Sequence, residues 1–120
     1  MILNGREVNF AYTMRAAKAL AEICPNRDMS LMGDALQGKF GNIVDNQTAF
    51  IIAMNQAYNK SSDHKDEEIK PITADELLDL SQDEFQEVFL DAAAAMDKDS
   101  KIHVETKPVK KAGTQPKKQP

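Results

Sequence analysis

The order of apolar and polar positions divides the chain into short elements, most of them with helical spacing. Ile2-Leu3, the pair Asn4-Gly5 and the run Arg6–Tyr12 predict an N-terminal β-hairpin. Asn-Gly suits a two-residue hairpin turn because both residues tolerate positive φ. Val8, Phe10 and Tyr12 alternate with Glu7, Asn9 and Ala11, which gives the second strand one apolar face. A lone hairpin is marginal in water, so this one must pack on helices.

Thr13 is the predicted N-cap of a first helix, with Ala16, Ala19, Leu20 and Ile23 on one face and Pro25 ending it near Cys24. Asp28 or Ser30 caps a second helix, with Met32, Ala35, Leu36 and Phe40 as its stripe and Gly38 and Gly41 bracketing its stop. Asp45 caps a third, in which Phe50, Ala53, Met54, Ala57 and Tyr58 recur at helical spacing. Ile51 and Ile52 widen that stripe, so this helix is expected at the centre, buried on most sides.

Residues 59–70 are almost wholly polar and read as a mobile loop closed by Pro71. Thr73-Ala74-Asp75-Glu76 and Ser81-Gln82-Asp83-Glu84 are successive capping boxes. The first opens a short helix with Leu77, Leu78 and Leu80. The second opens a longer one, with Phe85, Val88, Phe89, Ala92 and Met96 on one side and Asp83, Glu84, Glu87 and Asp91 largely on the other. From about Asp99 the pattern dissolves. The fold class is therefore mainly α: a hairpin packed on a small bundle of about five helices, one domain over residues 1–98, then a disordered basic tail over 99–120.

Composition narrows the function classes without choosing one. Apolar residues at 42% and charged residues at 28% are ordinary for a globular protein, and one domain's length excludes a large enzyme. Charge is segregated: residues 1–62 carry +1, residues 63–91 carry −9 and residues 92–120 carry +4, against −4 for the whole chain. That segregation favours protein surfaces as partners over nucleic acid. The lysine-rich tail lacks the aromatic residues that single-stranded nucleic acid stacks on. No run approaches the roughly 20 apolar residues that span a bilayer, and the N-terminus lacks signal-peptide order, so a cytoplasmic setting and no membrane are expected.

Candidate chemistry is sparse. Cys24 is the sole cysteine, so no internal disulfide or thiolate metal cluster forms. It sits at a helix C-terminus, where the dipole raises a thiol pKa, and reads as a structural cysteine. His64 and His103 have no ligand-spaced partners, and Asp63, His64 and Asp66 read as a solvated loop. Asp97-Lys98-Asp99 opens like a calcium loop but fails at Lys101, Ile102 and Pro108. Asp28-Met29-Ser30-Leu31 departs from a carrier-protein D-S-L site at Met29. With no P-loop or nucleophile elbow either, no cofactor, metal or catalytic residue is expected, and the chain reads as a non-enzyme. Two surfaces are candidates for partner binding: Met29, Met32 and Phe40 as adaptable apolar contact, and Asp83, Glu84, Glu87 and Asp91 as a face for a basic partner. The segregated charge also favours head-to-tail self-association.

The assembled pattern resembles the tail assembly chaperones of long-tailed bacteriophages. Ile2-Leu3-Asn4-Gly5-Arg6-Glu7-Val8-Asn9-Phe10 is similar to the family's opening hairpin, and Tyr12-Thr13-Met14-Arg15-Ala16 to its strand-to-helix junction. Ile72–Ser81 is similar to a late I/L-T-x-E-E-L-x-x-L segment, and Thr48–Tyr58 stands at the family's central helix. The resemblance spans residues 1–98. It implies a non-catalytic helper in the host cytoplasm that binds the tape measure protein, helps recruit tail tube subunits and is absent from the mature virion. Many members of that family are also made in two lengths by a programmed ribosomal frameshift. The family motif offers no catalytic or ligand residue to carry over. Two other readings stay open: a structural connector or minor tail protein resident in the particle, and a small regulatory adaptor docking a basic partner through its acidic helix.

Overall fold

In the computed structural model, which describes residues 1–61 and 70–104, Asn4 and Gly5 adopt φ values of 52° and 82°. Positive φ at both positions is the turn that two-residue hairpins need. It brings β1 (Ile2–Leu3) against β2 (Arg6–Glu7), antiparallel, with Ile2 opposite Glu7 and Leu3 opposite Arg6. The second strand is shorter than its alternation predicts. β1 has little more to offer as partner, and the last bond runs from the Val8 N–H to the Met1 carbonyl at 2.8 Å. Beyond it the chain stays out of the sheet and is held from elsewhere. The Ala11 N–H donates to the Met54 carbonyl at 3.0 Å and the Tyr12 N–H to the Asp99 carboxylate at 2.9 Å.

Thr13 caps α1 (Met14–Ile23) as expected, its hydroxyl accepting from the Ala16 N–H at 3.5 Å. Ala16 and Leu20 are fully buried, whereas Ala19, at the edge of the predicted stripe, is exposed. Cys24 turns to ψ 148°, the extended conformation a residue before proline prefers, and the helix stops there.

The predicted second helix is mostly not one. Two 3-10 turns, Pro25–Arg27 and Met29–Leu31, precede a single α-turn, α2 (Met32–Ala35). Asp28 does cap, accepting from the Ser30 N–H at 2.9 Å and the Ser30 hydroxyl at 2.7 Å. Gly38, at φ +106°, breaks the path, and α3 (Phe40–Asn59) starts immediately after Lys39. Phe40 therefore opens the third helix rather than closing the second, and Asp45 lies inside that helix instead of capping it.

As expected, α3 is the central element, packed against both α1 and α5. Phe50, Ile51, Met54 and Ala57 are buried along it, and so is Asn55, at 1% exposure. Asn55 replaces sheet-like hydrogen bonds for two passing strands of chain. Its amide donates to the Asn9 carbonyl at 3.0 Å, and its oxygen accepts from the Ile72 N–H at 3.0 Å and from Asn59 at 3.2 Å.

Both capping boxes close at both ends. Thr73 and Glu76 exchange bonds of 3.0 and 3.2 Å at the start of α4 (Ala74–Leu78). Ser81 and Glu84 exchange bonds of 3.1 and 3.2 Å at the start of α5 (Gln82–Val104). α5 continues past the point where its apolar pattern ends, and Asp99 is tied back to the chain ahead of α1. Leu3 and Val8 from the hairpin segment join Leu20, Ile51, Met54, Leu77 and Val88 in one core. Phe50 and Phe89 meet in it, ring centroids 5.3 Å apart and planes at 60°, within the tilted geometry aromatic pairs favour. The result is mainly α with an N-terminal antiparallel hairpin. Of the tail read as disordered over 99–120, residues 99–104 instead continue α5, while residues 105–120 lie outside the described residues, as does most of the 59–70 loop.

Candidate functional site

An apolar groove opens where the start of α3, the short α4 and the start of α5 meet. Phe40, Ile43 and Val44 form one wall, Leu77, Leu78 and Leu80 another, and Phe85 the third. Its volume is about 350 Å³. Gln47, Gln82 and Gln86 contribute the polar part, and Gln86 donates to Gln47 across the groove at 3.1 Å. No lining side chain titrates.

The sequence builds this groove through a conflict between local signals. Two capping boxes stand eight residues apart, so α4 is five residues long yet has Leu77 and Leu78 at its end and Leu80 just after. So short a helix cannot bury adjacent leucines in one direction. Leu77 goes fully into the core and Leu78 stays 58% exposed. Phe40 meets a similar fate. Gly38 releases the chain so that Phe40 lands in the first turn of α3, 67% exposed, on the groove rim.

α4 is held in place from two directions. Asn55 grips the Ile72 N–H just before it. Arg6 of the hairpin grips Glu76 inside it, with bonds of 2.7 and 2.8 Å to the two carboxylate oxygens and a third, at 3.1 Å, to the Pro71 carbonyl. Asn4 adds a bond of 2.9 Å to Glu76. The Arg6 guanidinium holds the Glu76 carboxyl at about 2, well below its ordinary 4.5, with Asn4 and the Thr73 N–H contributing and burial opposing.

The candidate surfaces read from the sequence are separated by the fold. Met29 lies in a 3-10 turn and Met32 at the start of α2, both half-buried against the core. Phe40 lines the groove, and neither methionine does. Asp83, Glu84, Glu87 and Asp91 are all exposed on α5, but Glu84 is committed to its capping box through the Ser81 N–H. Cys24 is buried, its thiol donating to the Leu20 carbonyl at 3.3 Å. Burial, then the charge of Asp28, pushes that thiol's pKa up, away from nucleophilic use. Asp63, His64 and Asp66 lie outside the described residues, as does the side chain of His103. Among the described residues no cluster of three His, Cys, Asp or Glu is placed to hold a metal, and no helix is long and apolar enough to cross a membrane.

Pattern reading missed Ile43, Val44 and Arg6 as site-building residues. The signal for the groove was present in the Leu77-Leu78 pair, too apolar for a five-residue helix. The Arg6–Glu76 pairing spans seventy residues and has no local signal. Comparison of the chain with protein-family models, with curated proteins and with solved structures yields no match.

Proposed function

We propose that this chain is a non-catalytic tail assembly chaperone of a long-tailed bacteriophage, whose groove holds apolar helices of the tape measure protein while tail tube subunits are recruited. The observation that carries the reading is the groove itself, with Phe40 and Leu78 offered to solvent above buried Leu77 and Phe85. Recognition of an amphipathic helix needs an apolar groove of this kind. The sequence resemblance supports the reading, and its two end segments, Asn4-Gly5-Arg6 and Thr73–Leu77, are joined by the Arg6–Glu76 pair beside that groove. Such a protein acts in the host cytoplasm during assembly and is absent from the finished particle.

A second reading is an adaptor for a basic partner, favoured by the exposure of Asp83, Glu87 and Asp91 along α5. A pull-down with the full chain as bait, against the products of its neighbouring genes, separates the two. Recovery of a very long helical protein, lost on Phe40→Ser and kept on Asp91→Asn, supports the chaperone. The converse pattern supports the adaptor. Detection of the chain in purified particles would instead make it a structural connector.

A further inference from the structure

Along α3 the groove is lined from Phe40 to Gln47, and along α5 from Gln82 to Gln86. The last lining residue on each helix is therefore a glutamine, and the bond of 3.1 Å from the Gln86 amide N–H to the Gln47 amide oxygen bridges the groove there. Gln47 is 8% exposed, as deeply set as a core residue. It differs from the other buried amide, Asn55, in one respect. Asn55 uses both ends of its amide, whereas Gln47 uses only its oxygen. Among the described residues no group accepts from the Gln47 amide N–H2, and none donates to the Gln86 amide oxygen. Water serves both while the groove is open to solvent. An occupant that excludes water must serve them itself or strand them, and stranding a polar group costs more than a formed bond contributes.

We propose that the Gln47–Gln86 pair sets the specificity of the groove, selecting an amphipathic helix that carries a side-chain amide, glutamine or asparagine, within its apolar stripe. This rests on the groove being the client site, and it adds which helices the site accepts. The occupant's amide oxygen accepts from Gln47 and its N–H2 donates to the Gln86 oxygen, so three amides close one network. An amide fits because it offers donor and acceptor on one planar group. Apolar side chains of the same stripe seat between Phe40 and Leu78. Phe40 and Gln47 are about two turns, roughly 10 Å, apart along α3, so a helix lying along α3 needs its apolar anchor and its amide at about that separation. One polar residue in an apolar seam fixes register and partner at some cost in affinity. A wholly apolar stripe would bury the Gln47 N–H2 without a partner, which discriminates against it.

The test uses the full chain and fluorescent synthetic helices of about five turns that share one leucine stripe, read by anisotropy. Each pair carries glutamine in one peptide and methionine, of similar shape, in the other at a single stripe position, and that position is moved along the stripe. In at least one register the ratio of the methionine peptide's Kd to the glutamine peptide's is expected to fall about tenfold on Gln47→Met and again on Gln86→Met, each compared with the parent. Gln86 is exposed, so Gln86→Met tests the pair without disturbing the core, and circular dichroism of each variant reports whether the fold is kept. Leu78→Ser and Phe40→Ser should each weaken both peptides. A ratio that stays within about twofold of the parent's in every register, while Leu78→Ser still weakens both peptides, would overturn the amide selection and leave the groove reading standing. Binding that ignores both Leu78→Ser and Phe40→Ser, or no binding of any peptide, would overturn the groove reading and the selection with it.

Discussion

Arg6 and Glu76 are seventy residues apart in the chain and bonded through both carboxylate oxygens, at 2.7 and 2.8 Å. Their side chains are 22% and 16% exposed, so the pair is partly shielded from water. It joins the turn of the hairpin to the helix that carries Leu77 and Leu78. Charge-assisted bonds of this kind exceed neutral ones, and removing one partner strands the other. A double-mutant cycle of Arg6→Gln and Glu76→Gln, followed by urea unfolding, should give a coupling of about 1–3 kcal/mol. Additive effects would mean that the pair holds nothing together.

The same pair predicts a pH dependence. Glu76 is held at about 2 in the folded chain against an ordinary 4.5, so the folded state favours its ionised form. Stability from that preference is present in full above pH 4.5 and is lost as pH falls toward 2. Unfolding midpoints measured across that window should fall more steeply for the parent chain than for Glu76→Gln. Parallel curves would remove Glu76 from the acid response.

Local signals were legible and distant ones were not. The Asn4-Gly5 turn, the Thr13 cap, the Pro25 stop and both capping boxes each rest on residues within a few positions of one another, and each forms. From Asp28 to Asp45 the spacing of Met32, Ala35, Leu36 and Phe40 reads as one helix, whereas Gly38, at φ +106°, makes a corner between two. Phe40 therefore belongs with Ile43 and Val44 on α3, a wall of the groove that local spacing does not reveal. Asn55 was invisible for another reason: nothing in its own segment shows that Asn9 and Ile72 will pass beside it.

Asn55 should therefore be among the most sensitive polar positions. Asn55→Ala leaves the buried Ile72 N–H and the part-buried Asn9 carbonyl without their partner. The expected cost is about 2–4 kcal/mol, with two stranded polar groups weighted as in other buried sites. Chemical denaturation measures it. A loss under half a kcal/mol would mean that water reaches these groups.

Gly38 and Gly33 should respond to alanine with opposite sign. Gly38 has open space around it but a φ of +106°, so Gly38→Ala is strained whatever the room, at about 1 kcal/mol or more. Gly33 lies in α2 with nothing within 4 Å of an added Cβ. Gly33→Ala should stabilise by about 0.5–1 kcal/mol through helix propensity. Thermal midpoints of the two variants make the comparison directly.

Leu77 and Leu78 are chain neighbours with opposite burial. Leu77 is fully buried, and Leu77→Ala should cost about 2–5 kcal/mol as a cavity forms in the core. Leu78 is 58% exposed, so Leu78→Ala should fall within about 0.5 kcal/mol of the parent. On the proposed reading, Leu78 contributes little to folding and serves contact with a helical client. Leu78→Ala should accordingly lower recovery of a helical client at unchanged thermal midpoint, while Leu77→Ala lowers the midpoint first. If Leu78→Ala recovers client as well as the parent does, the groove is not where the client binds.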